Sequence, residues 1–398
     1  PKDDRMHSNG KFCAPFLFLV CAALFGTSAA ADTEKSDIDN LVQDAAQAIM
    51  QQYKIPGLAI AVTANGKQSF YNYGVASRET GRKVTRNTLF EIGSISKTFT
   101  ATLATYAQVN GRLALSDNPG KYLPQLQGSQ LDKVTLINLG THTAGGFPLQ
   151  IPDDVQNNEQ LMDYFRSWQP LFAPGTYRTY ANPSIGLLGM IAAKSMNIPF
   201  DEALEAQLFP KLGMHGSFIN VPSSNMPLYA QGYNKQDAPV RLSPGVLAAE
   251  AYGVKTSVQD LIRFVEVNLN LTQTDATLKR AIADTHIGYF QLGPMTQDLI
   301  WEQYGYPVSL DTLLEGNSDK MAYERQAATK LTPPQPPQQA VWVNKTGSTR
   351  GFGAYAAFIP EKKLGIVILA NKNYPNEPRV RLAYQILSKL DCCSRAEH

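Results

Sequence analysis

The two ends of the chain carry the strongest fold pattern, because each end combines β-strand patterns with one helix. Apolar residues recur at helical spacing in residues 35–53, and Asn65-Gly66 is a dipeptide typical of the turn between antiparallel strands. We predict strands at residues 57–62, 68–74, 341–346, 352–359 and 364–370, and a last helix at residues 377–390. Strands so distributed predict one antiparallel β-sheet flanked by terminal helices.

The middle of the chain has a different pattern and is predicted to be mainly helical. One helix begins at Ser94 and places Phe99, Leu103 and Tyr106 on one apolar face. The proline-rich segment 331–339 is predicted to be an extended surface connector that leads into the next strand.

We expect these parts to form a single domain of the α/β class with α+β lobes. The chain has 398 residues and is 43% apolar, which is enough for a large buried core. The sheet lobe would contain about residues 32–90 and 335–391, and the mostly helical lobe about residues 91–334. The domain would thus span residues 32–391, followed by a tail at residues 392–398. A cleft between such lobes is a usual place for a small ligand.

Residues 1–31 have the pattern of a secretory signal. A short basic stretch ends at Lys11, an apolar run of about fourteen residues follows at 12–25, and small residues occupy 27–31. The alternative is a permanent anchor, but the apolar run is too short to cross a bilayer as a helix. We predict that this segment, with the residues upstream of Met6, is removed, and that the protein reaches the periplasm without a stable membrane anchor.

Cysteine usage fits export without dependence on disulfides. Cys13 and Cys21 lie in the signal segment and leave with it. Cys392 and Cys393 are adjacent, and adjacent cysteines pair with each other only with strain. The predicted domain core therefore contains no cysteine, and its stability must come from packing.

Charge and histidine content bound the partners of the chain. The net charge of +2 provides no basic field for nucleic acid, so we expect no nucleic-acid partner. Separately, we expect the protein to be a monomer. His142, His215 and His286 show no paired spacing typical of metal ligands, so we expect no metal and no cofactor. His142, in a loop rich in threonine and glycine, is interpreted as structural.

Ser94-Ile-Ser-Lys97 is the first segment that carries chemistry. A serine and a lysine three residues apart at a helix start share one face, so the amine reaches the hydroxyl. A serine becomes a good nucleophile when a base takes its proton. Alone the pattern is weak, because Ser8 and Lys11 have the same spacing.

Two further motifs follow. Tyr180-Ala-Asn182 offers a tyrosine whose phenolate is favoured beside ammonium groups, and an amide that can donate and accept hydrogen bonds. The segment 374–376 matches this motif as well. Lys345, Thr346 and Gly347 occur once in this order and supply a charge, a hydroxyl and close access to a strand backbone.

Together and in this order, the three motifs resemble those of penicillin-recognising serine hydrolases. The segments 140–150, 180–186, 249–254 and 371–376 are similar to the class C (AmpC-type) serine β-lactamases, and the resemblance covers about residues 35–390. It implies the fold of serine β-lactamases and DD-peptidases. It also implies hydrolysis of the β-lactam amide bond of cephalosporins and penicillins through a serine acyl-enzyme, which gives antibiotic resistance.

The resemblance implies a role for each motif residue. Ser94 would be the nucleophile, Lys97 and Tyr180 the proton-transfer pair, and Lys345 a third cationic group. The backbone N–H groups of Ser94 and Ser348 would form the oxyanion hole. The remaining residues would bind a small β-lactam substrate: Gln150 and Asn182 would hold its amide side chain, Tyr252 would form an aromatic wall, Thr346 and Gly347 would lie along the strand, and Asn376 and Arg379 would lie near its carboxylate.

Two residues need separate interpretation. Arg350 stands where the resemblance implies a small or amide residue, and we expect it to point to solvent rather than to alter substrate preference. Glu266 begins a Glu-x-x-Leu-Asn pattern like that of the deacylating glutamate of class A enzymes. It lies in a helical run far beyond Tyr180, so we interpret it as a solvated glutamate.

Two rival functions remain open. A DD-peptidase or esterase would share the nucleophile and the fold, and the motifs do not determine the leaving group. A penicillin sensor would be acylated and stop there, but no transmembrane transducer segment follows the signal. Lys345 favours the β-lactamase, because some of the DD-peptidases and esterases that share this fold have histidine in place of the lysine of the third motif.

Overall fold

The computed structural model describes residues 25–396 and the side chains of residues 33–394. The predicted signal segment lies outside the described residues, apart from the backbone of its last seven. In chain order the helices are α1 Phe25–Tyr53, α2 Ser96–Val109, α3 Leu136–Gly140, α4 Asn158–Ser167, α5 Asn182–Met196, α6 Phe200–Glu202, α7 Phe209–Lys211, α8 Ala248–Tyr252, α9 Val258–Asn268, α10 Ala276–Asp284, α11 Leu310–Gly316, α12 Asp319–Tyr323 and α13 Asn376–Ala396. The strands are β1 Gly57–Ala64, β2 Lys67–Gly74, β3 Phe90–Glu91, β4 Tyr177–Arg178, β5 Gly232–Tyr233, β6 Pro239–Val240, β7 Lys255–Thr256, β8 Gly288–Leu292, β9 Met295–Gln297, β10 Glu302–Gly305, β11 Gln326–Ala327, β12 Thr329–Gln335, β13 Val341–Ser348, β14 Gly353–Ile359 and β15 Leu364–Ala370.

The predicted antiparallel sheet is confirmed. Nine strands form it in the order β12-β8-β9-β10-β13-β14-β15-β1-β2. The five strands predicted from the chain ends are neighbours in the sheet, as β13-β14-β15-β1-β2. The pairing of β1 with β15 joins the two ends of the chain, for example Leu58 with Ala370. The mixed α/β fold class is therefore as expected.

Helices cover both faces of the central strands. On β15, Gly365 faces Val265 of α9, whereas Gly353 on β14 faces Arg379 of α13. Gly353 pairs with Ala370, which is five residues from Gly365, so the two glycines face opposite sides of the sheet. Because both faces are covered, β15 is buried along its whole length and its sequence is a continuous apolar run.

Residues 91–334 contain most of the helices, but four strands of the nine-stranded sheet also begin in this range, and the sequence did not predict them. β8, β9 and β10 extend the sheet beyond β13, and the first five residues of the predicted connector belong to β12 at the sheet edge. Proline is tolerated on an edge strand because its missing N–H faces away from the ladder. The pairing of β12 with β8 shifts register between Lys330 and Gln335, across the prolines.

Both terminal helices are longer than predicted. α1 begins at Phe25 rather than at residue 35, and α13 continues through Ala396 into the predicted tail. No glycine or proline follows Leu390 to end the helix. Cys392 and Cys393 lie on this last part of α13 as free thiols. Among the described helices, none combines the length and apolar character needed to span a membrane.

α2 connects the helical lobe to the sheet. It packs against α5, α8 and α10, and nearly all of its side chains are buried. The turn before its first residue contacts β13. This contact brings the first and third sequence motifs together.

Candidate active site

The turn that carries Ser94 lies against the end of β13. Gly93–Ile95 form one 3-10 turn directly before α2. Gly93 has a φ of +51°, and a Cβ atom at this position would lie 2.4 Å from the backbone nitrogen of Ser348. A side chain would therefore separate the two segments, and glycine both permits the approach and adopts the left-handed backbone without strain.

Lys97 is held against the hydroxyl of Ser94. Its Nζ donates to Ser94 Oγ at 2.7 Å and to the carbonyl oxygen of Ala251 at 2.8 Å. The side chain is fully buried. Burial lowers the pKa of Lys97 to about 8, with Tyr180 opposing the shift and Lys345 adding to it. The amine is therefore poised to exchange a proton near neutral pH.

Tyr180 lies among three cations. Its ring centroid is 5.2 Å from Lys97 Nζ, 5.1 Å from Lys345 Nζ and 5.5 Å from Arg178 Cζ. Burial alone would raise the pKa of Tyr180. The charges of Lys345 and Lys97, with hydrogen bonds from Ser94 and Lys345, outweigh burial and lower the pKa from 10.0 to about 7. A substantial fraction of phenolate is therefore available at neutral pH.

His142 holds the chain on both sides of Tyr180. Its carbonyl oxygen accepts from Thr179 N at 2.8 Å, and its Nδ1 accepts from Ala181 N at 3.2 Å. The two rings are 4.4 Å apart. Burial, with the charges of Arg178, Lys97 and Lys345, keeps the pKa of His142 well below its ordinary value. The neutral ring agrees with the structural role predicted for this residue.

A buried ion pair ties the tyrosine segment to the sheet. Arg178 Nη2 lies 2.9 Å from Glu302 Oε1, and Arg178 Nε donates to Gln297 Oε1 at 2.7 Å. This pair could not be identified from the sequence, because Glu302 lies in a strand that the sequence pattern did not predict. The one sequence feature that could have indicated the ion pair is that Arg178 lies two residues before the motif residue Tyr180.

The end of β13 is open on one side. Its ladder with β10 ends at Asn344, whereas its ladder with β14 continues through Ser348. Lys345 is buried, and its Nζ donates to the carbonyl oxygen of Thr346 at 2.8 Å. A Cβ atom on Gly347 would lie 3.0 Å from the backbone nitrogen of Ser94. The backbone nitrogens of Ser94 and Ser348 are thus brought to one place, beside an edge that could hold an extended ligand.

The expected amide-binding residues meet each other. Asn182 Nδ2 donates to Gln150 Oε1 at 2.9 Å, and the buried Asn182 Oδ1 has no hydrogen-bond partner among the described residues. Tyr252 is half-buried and follows Ala251, whose carbonyl accepts from Lys97. Asn376 is half-buried at the start of α13, and its Nδ2 donates to Asn317 O at 3.2 Å.

Arg379, expected near the substrate carboxylate, lies against β13 but does not offer its guanidinium to a ligand. Its side chain is fully buried and donates to the backbone carbonyl oxygens of Gly347, Ala354 and Tyr374. Because its side chain is fully buried, Arg379 joins α13 to β13 and β14 and is not open to a ligand. Arg350, in contrast, is exposed, as expected for a side chain that points to solvent.

A cavity of about 480 Å³ adjoins Tyr180 and Leu149. Its wall includes Phe147 and Trp168, whose rings stack at 4.0 Å, and its rim includes the exposed side chain of Tyr323. A largely apolar cavity beside Tyr180 suits a small, partly apolar ligand.

Glu266 is excluded from the site, but not for the reason expected. It is buried rather than solvated, and it accepts hydrogen bonds from Thr63 Oγ1 at 2.7 Å and Gln68 Nε2 at 2.9 Å. Glu266 therefore joins α9 to β1 and β2 of the sheet. The described residues contain no group of three or more His, Cys, Asp or Glu side chains that could hold a metal ion.

Comparison with known proteins gives a consistent result. The family model described as beta-lactamase matches residues 42–391. The chain is 54% identical to a beta-lactamase of Lysobacter lactamgenus over 94% of this chain and 96% of the relative. It is also 54% identical to a beta-lactamase of Pseudomonas fluorescens, over 89% of this chain and 99% of the relative.

Solved structures agree. A beta-lactamase/D-alanine carboxypeptidase from Pseudomonas syringae is 62% identical, with a TM-score of 0.87 over 88% of this chain and 99% of that chain. A class C beta-lactamase in complex with cefoxitin is 52% identical, with a TM-score of 0.87 over 89% of this chain and 99% of that chain.

Proposed function

The chain belongs to the beta-lactamase family as a serine enzyme of class C, and we propose that it hydrolyses cephalosporins and penicillins through an acyl-enzyme on Ser94. One observation carries the assignment of the site. Lys97 Nζ lies 2.7 Å from Ser94 Oγ, while Tyr180 lies between Lys97 and Lys345. This arrangement provides a nucleophile, a base and charge stabilisation within one small volume.

Acylation begins with attack of Ser94 Oγ on the carbonyl carbon of the β-lactam. The proton of the hydroxyl passes in this proposal to Tyr180, whose pKa the charges of Lys345 and Lys97 lower to about 7 against the effect of burial. Tyr180 acts as a phenolate base, and Lys97 Nζ keeps its hydrogen bond to Ser94 Oγ as the proton leaves. The negative oxygen that forms faces the backbone N–H groups of Ser94 and Ser348, and the proton then moves to the ring nitrogen as the C–N bond breaks.

Substrate is held on the open side of β13 in this proposal. Gln150 and Asn182 would bind the amide side chain, since Asn182 Oδ1 is a buried acceptor without a partner among the described residues. Tyr252 would cover the opposite side. The substrate carboxylate would meet Thr346 or Asn376, because Arg379 is buried away from the site.

We expect rapid turnover of a chromogenic cephalosporin and much slower release of D-alanine from a peptide ending in D-Ala-D-Ala. The two rates are measured on the same preparation, by absorbance and by a coupled D-alanine assay. Faster release of D-alanine, with slow hydrolysis of the bound penicillin, would identify a DD-peptidase. Stoichiometric acylation without turnover of either substrate would identify a penicillin sensor.

We also propose export to the periplasm as a free monomer. The apolar run at residues 12–25 supports export, and a site built within one chain needs no second copy. Intact mass of the periplasmic protein should correspond to a chain that begins at Ala31 or Asp32, and sedimentation should give the mass of one chain. Full-length protein in the cytoplasm, or a stable dimer, would contradict this proposal.

A further inference from the structure

We infer that Glu91 is a positioning residue that aligns the two backbone N–H groups of the proposed oxyanion hole. Glu91 lies three residues before Ser94, and Thr349 directly follows Ser348. The Oγ1 atom of Thr349 donates to Glu91 Oε2 at 2.5 Å, across 258 residues of sequence. One carboxylate therefore joins the two segments that carry the proposed donors. This inference rests on the proposed function, because it concerns the same acyl-transfer site.

The turn at Gly93 and Ser94 and the end of β13 at Gly347 and Ser348 are in close contact. Small shifts of either segment would therefore change how their two N–H groups are aligned. A Cβ atom on Gly93 would lie 2.4 Å from Ser348 N, and one on Gly347 would lie 3.0 Å from Ser94 N. The glycines allow this approach but do not direct it. A hydrogen bond from Thr349 to Glu91 does direct it, because its length and angle hold the end of β13 against the turn.

Glu91 is itself held from a third direction. Its Oε1 accepts from Tyr229 OH and from the backbone nitrogen of Leu242, both at 2.6 Å. The side chain is 1% exposed, so three donors compensate a buried carboxylate. None of these partners is a reacting group in the proposed mechanism. Glu91 is therefore a rigid support behind the site and not an acid or base of the reaction.

Loss of the bond between Glu91 and Thr349 should weaken stabilisation of the transition state more than binding of the substrate. Removal of one oxyanion-hole donor typically costs about 100- to 1,000-fold in kcat, because the donors act on charge that develops during the reaction. Misalignment of a donor should cost part of that factor. Substrate contacts of Gln150, Asn182 and Tyr252 do not involve Glu91, so KM should change little.

The matched pair Thr349→Val and Thr349→Ser tests this inference. Valine has nearly the same shape and removes the hydroxyl, whereas serine retains it. We expect Thr349→Val to lower kcat roughly 10- to 100-fold, with KM within about threefold of wild type. Its affinity for a boronic acid that mimics the tetrahedral intermediate should fall by a similar factor. Thr349→Ser should restore both values to near wild type.

Glu91→Gln and Glu91→Leu give an independent pair. The glutamine oxygen can still accept from Tyr229 and Leu242, and its NH₂ group can donate to Thr349 Oγ1, whereas leucine makes none of these bonds. We expect Glu91→Gln to retain at least about a tenth of the wild-type kcat and Glu91→Leu to lose more than Thr349→Val. Melting temperatures identify any variant that does not fold, in which case the Thr349 pair decides.

The inference is overturned if Thr349→Val keeps kcat and boronic acid affinity within about twofold of wild type. It is also overturned if Thr349→Ser loses as much as Thr349→Val, since the hydroxyl would then not be the cause. Failure of the proposed function is a separate result. If the wild-type enzyme releases D-alanine rather than opening β-lactams, the same variants are compared on that acyl transfer, which uses the same oxyanion hole.

Discussion

Ser94→Ala should remove nearly all hydrolysis of β-lactams, by a factor on the order of a million, as in other enzymes that use a covalent serine. The hydroxyl of Ser94 accepts a hydrogen bond from the buried Lys97 at 2.7 Å, and no other step can form the acyl-enzyme once this oxygen is lost. Stopped-flow and long-time assays with a chromogenic cephalosporin measure the residual rate. Intact mass after incubation with a slowly hydrolysed penicillin should show no adduct.

Ser96 is the control for this assignment because it lies two residues away. It is fully buried, and its Oγ accepts from the backbone nitrogen of Val254 at 3.0 Å, so it supports the fold rather than facing the site. Ser96→Ala should lower stability by roughly 1–3 kcal/mol, the usual cost of an unsatisfied buried donor. Its acyl-enzyme should still form. Peptide mapping that located the label on Ser96 in the wild-type enzyme would refute the assignment to Ser94.

The sheet could be predicted where strands consist of buried apolar runs, and β2 could be predicted from the Asn65-Gly66 turn that precedes it. β1, β14 and β15 are covered by helices on both faces, so their sequences show little but apolar residues. β10 has only four residues, most of them polar, so it shows no apolar run. β12 lies at the edge of the sheet and contains two prolines. Their strand conformation is imposed by neighbours in the sheet rather than by their own pattern.

The chemical groups of the site were predictable because their motifs are local. Ser94 and Lys97 meet on one helix start, and the resemblance to a known family related them to Tyr180 and Lys345. The burial of Arg379 was not predictable, because it depends on which face of α13 packs on the sheet. Glu91 also could not be identified, since its partner Thr349 is 258 residues away and no local motif relates them.

Tyr180→Phe should slow hydrolysis by roughly a hundred- to ten-thousand-fold, the range typical of a lost general base. The substitution removes the phenolic oxygen and keeps the ring, which packs at 4.4 Å from the ring of His142. Because Glu266 is bonded to Thr63 and Gln68 away from Ser94, we expect the water that releases the acyl group to be activated by groups already used in acylation. Acylation and deacylation should therefore both be slower, as measured by burst kinetics and single-turnover decay of the acyl-enzyme.

The pH profile separates this role from a structural one. The pKa of Tyr180 is lowered to about 7, so the phenolate is present above that pH and is lost as the pH falls through it. The wild-type kcat/KM, which reports titrating groups of the free enzyme, should therefore decline on the acid side of about pH 7, by about tenfold for each pH unit. In Tyr180→Phe this decline should be absent, because the group that titrates is gone.

A boronic acid provides the structural control for Tyr180→Phe. It bonds to Ser94 and mimics the tetrahedral intermediate, which the backbone N–H groups of Ser94 and Ser348 stabilise without the tyrosine. Binding should therefore persist in the variant while turnover is lost. If Tyr180→Phe instead hydrolyses cephalosporins at near wild-type rates with the same acid limb, the proton is carried by another group. Lys97 would then be the base, because its Nζ already contacts Ser94 Oγ and its pKa of about 8 allows a neutral amine near physiological pH.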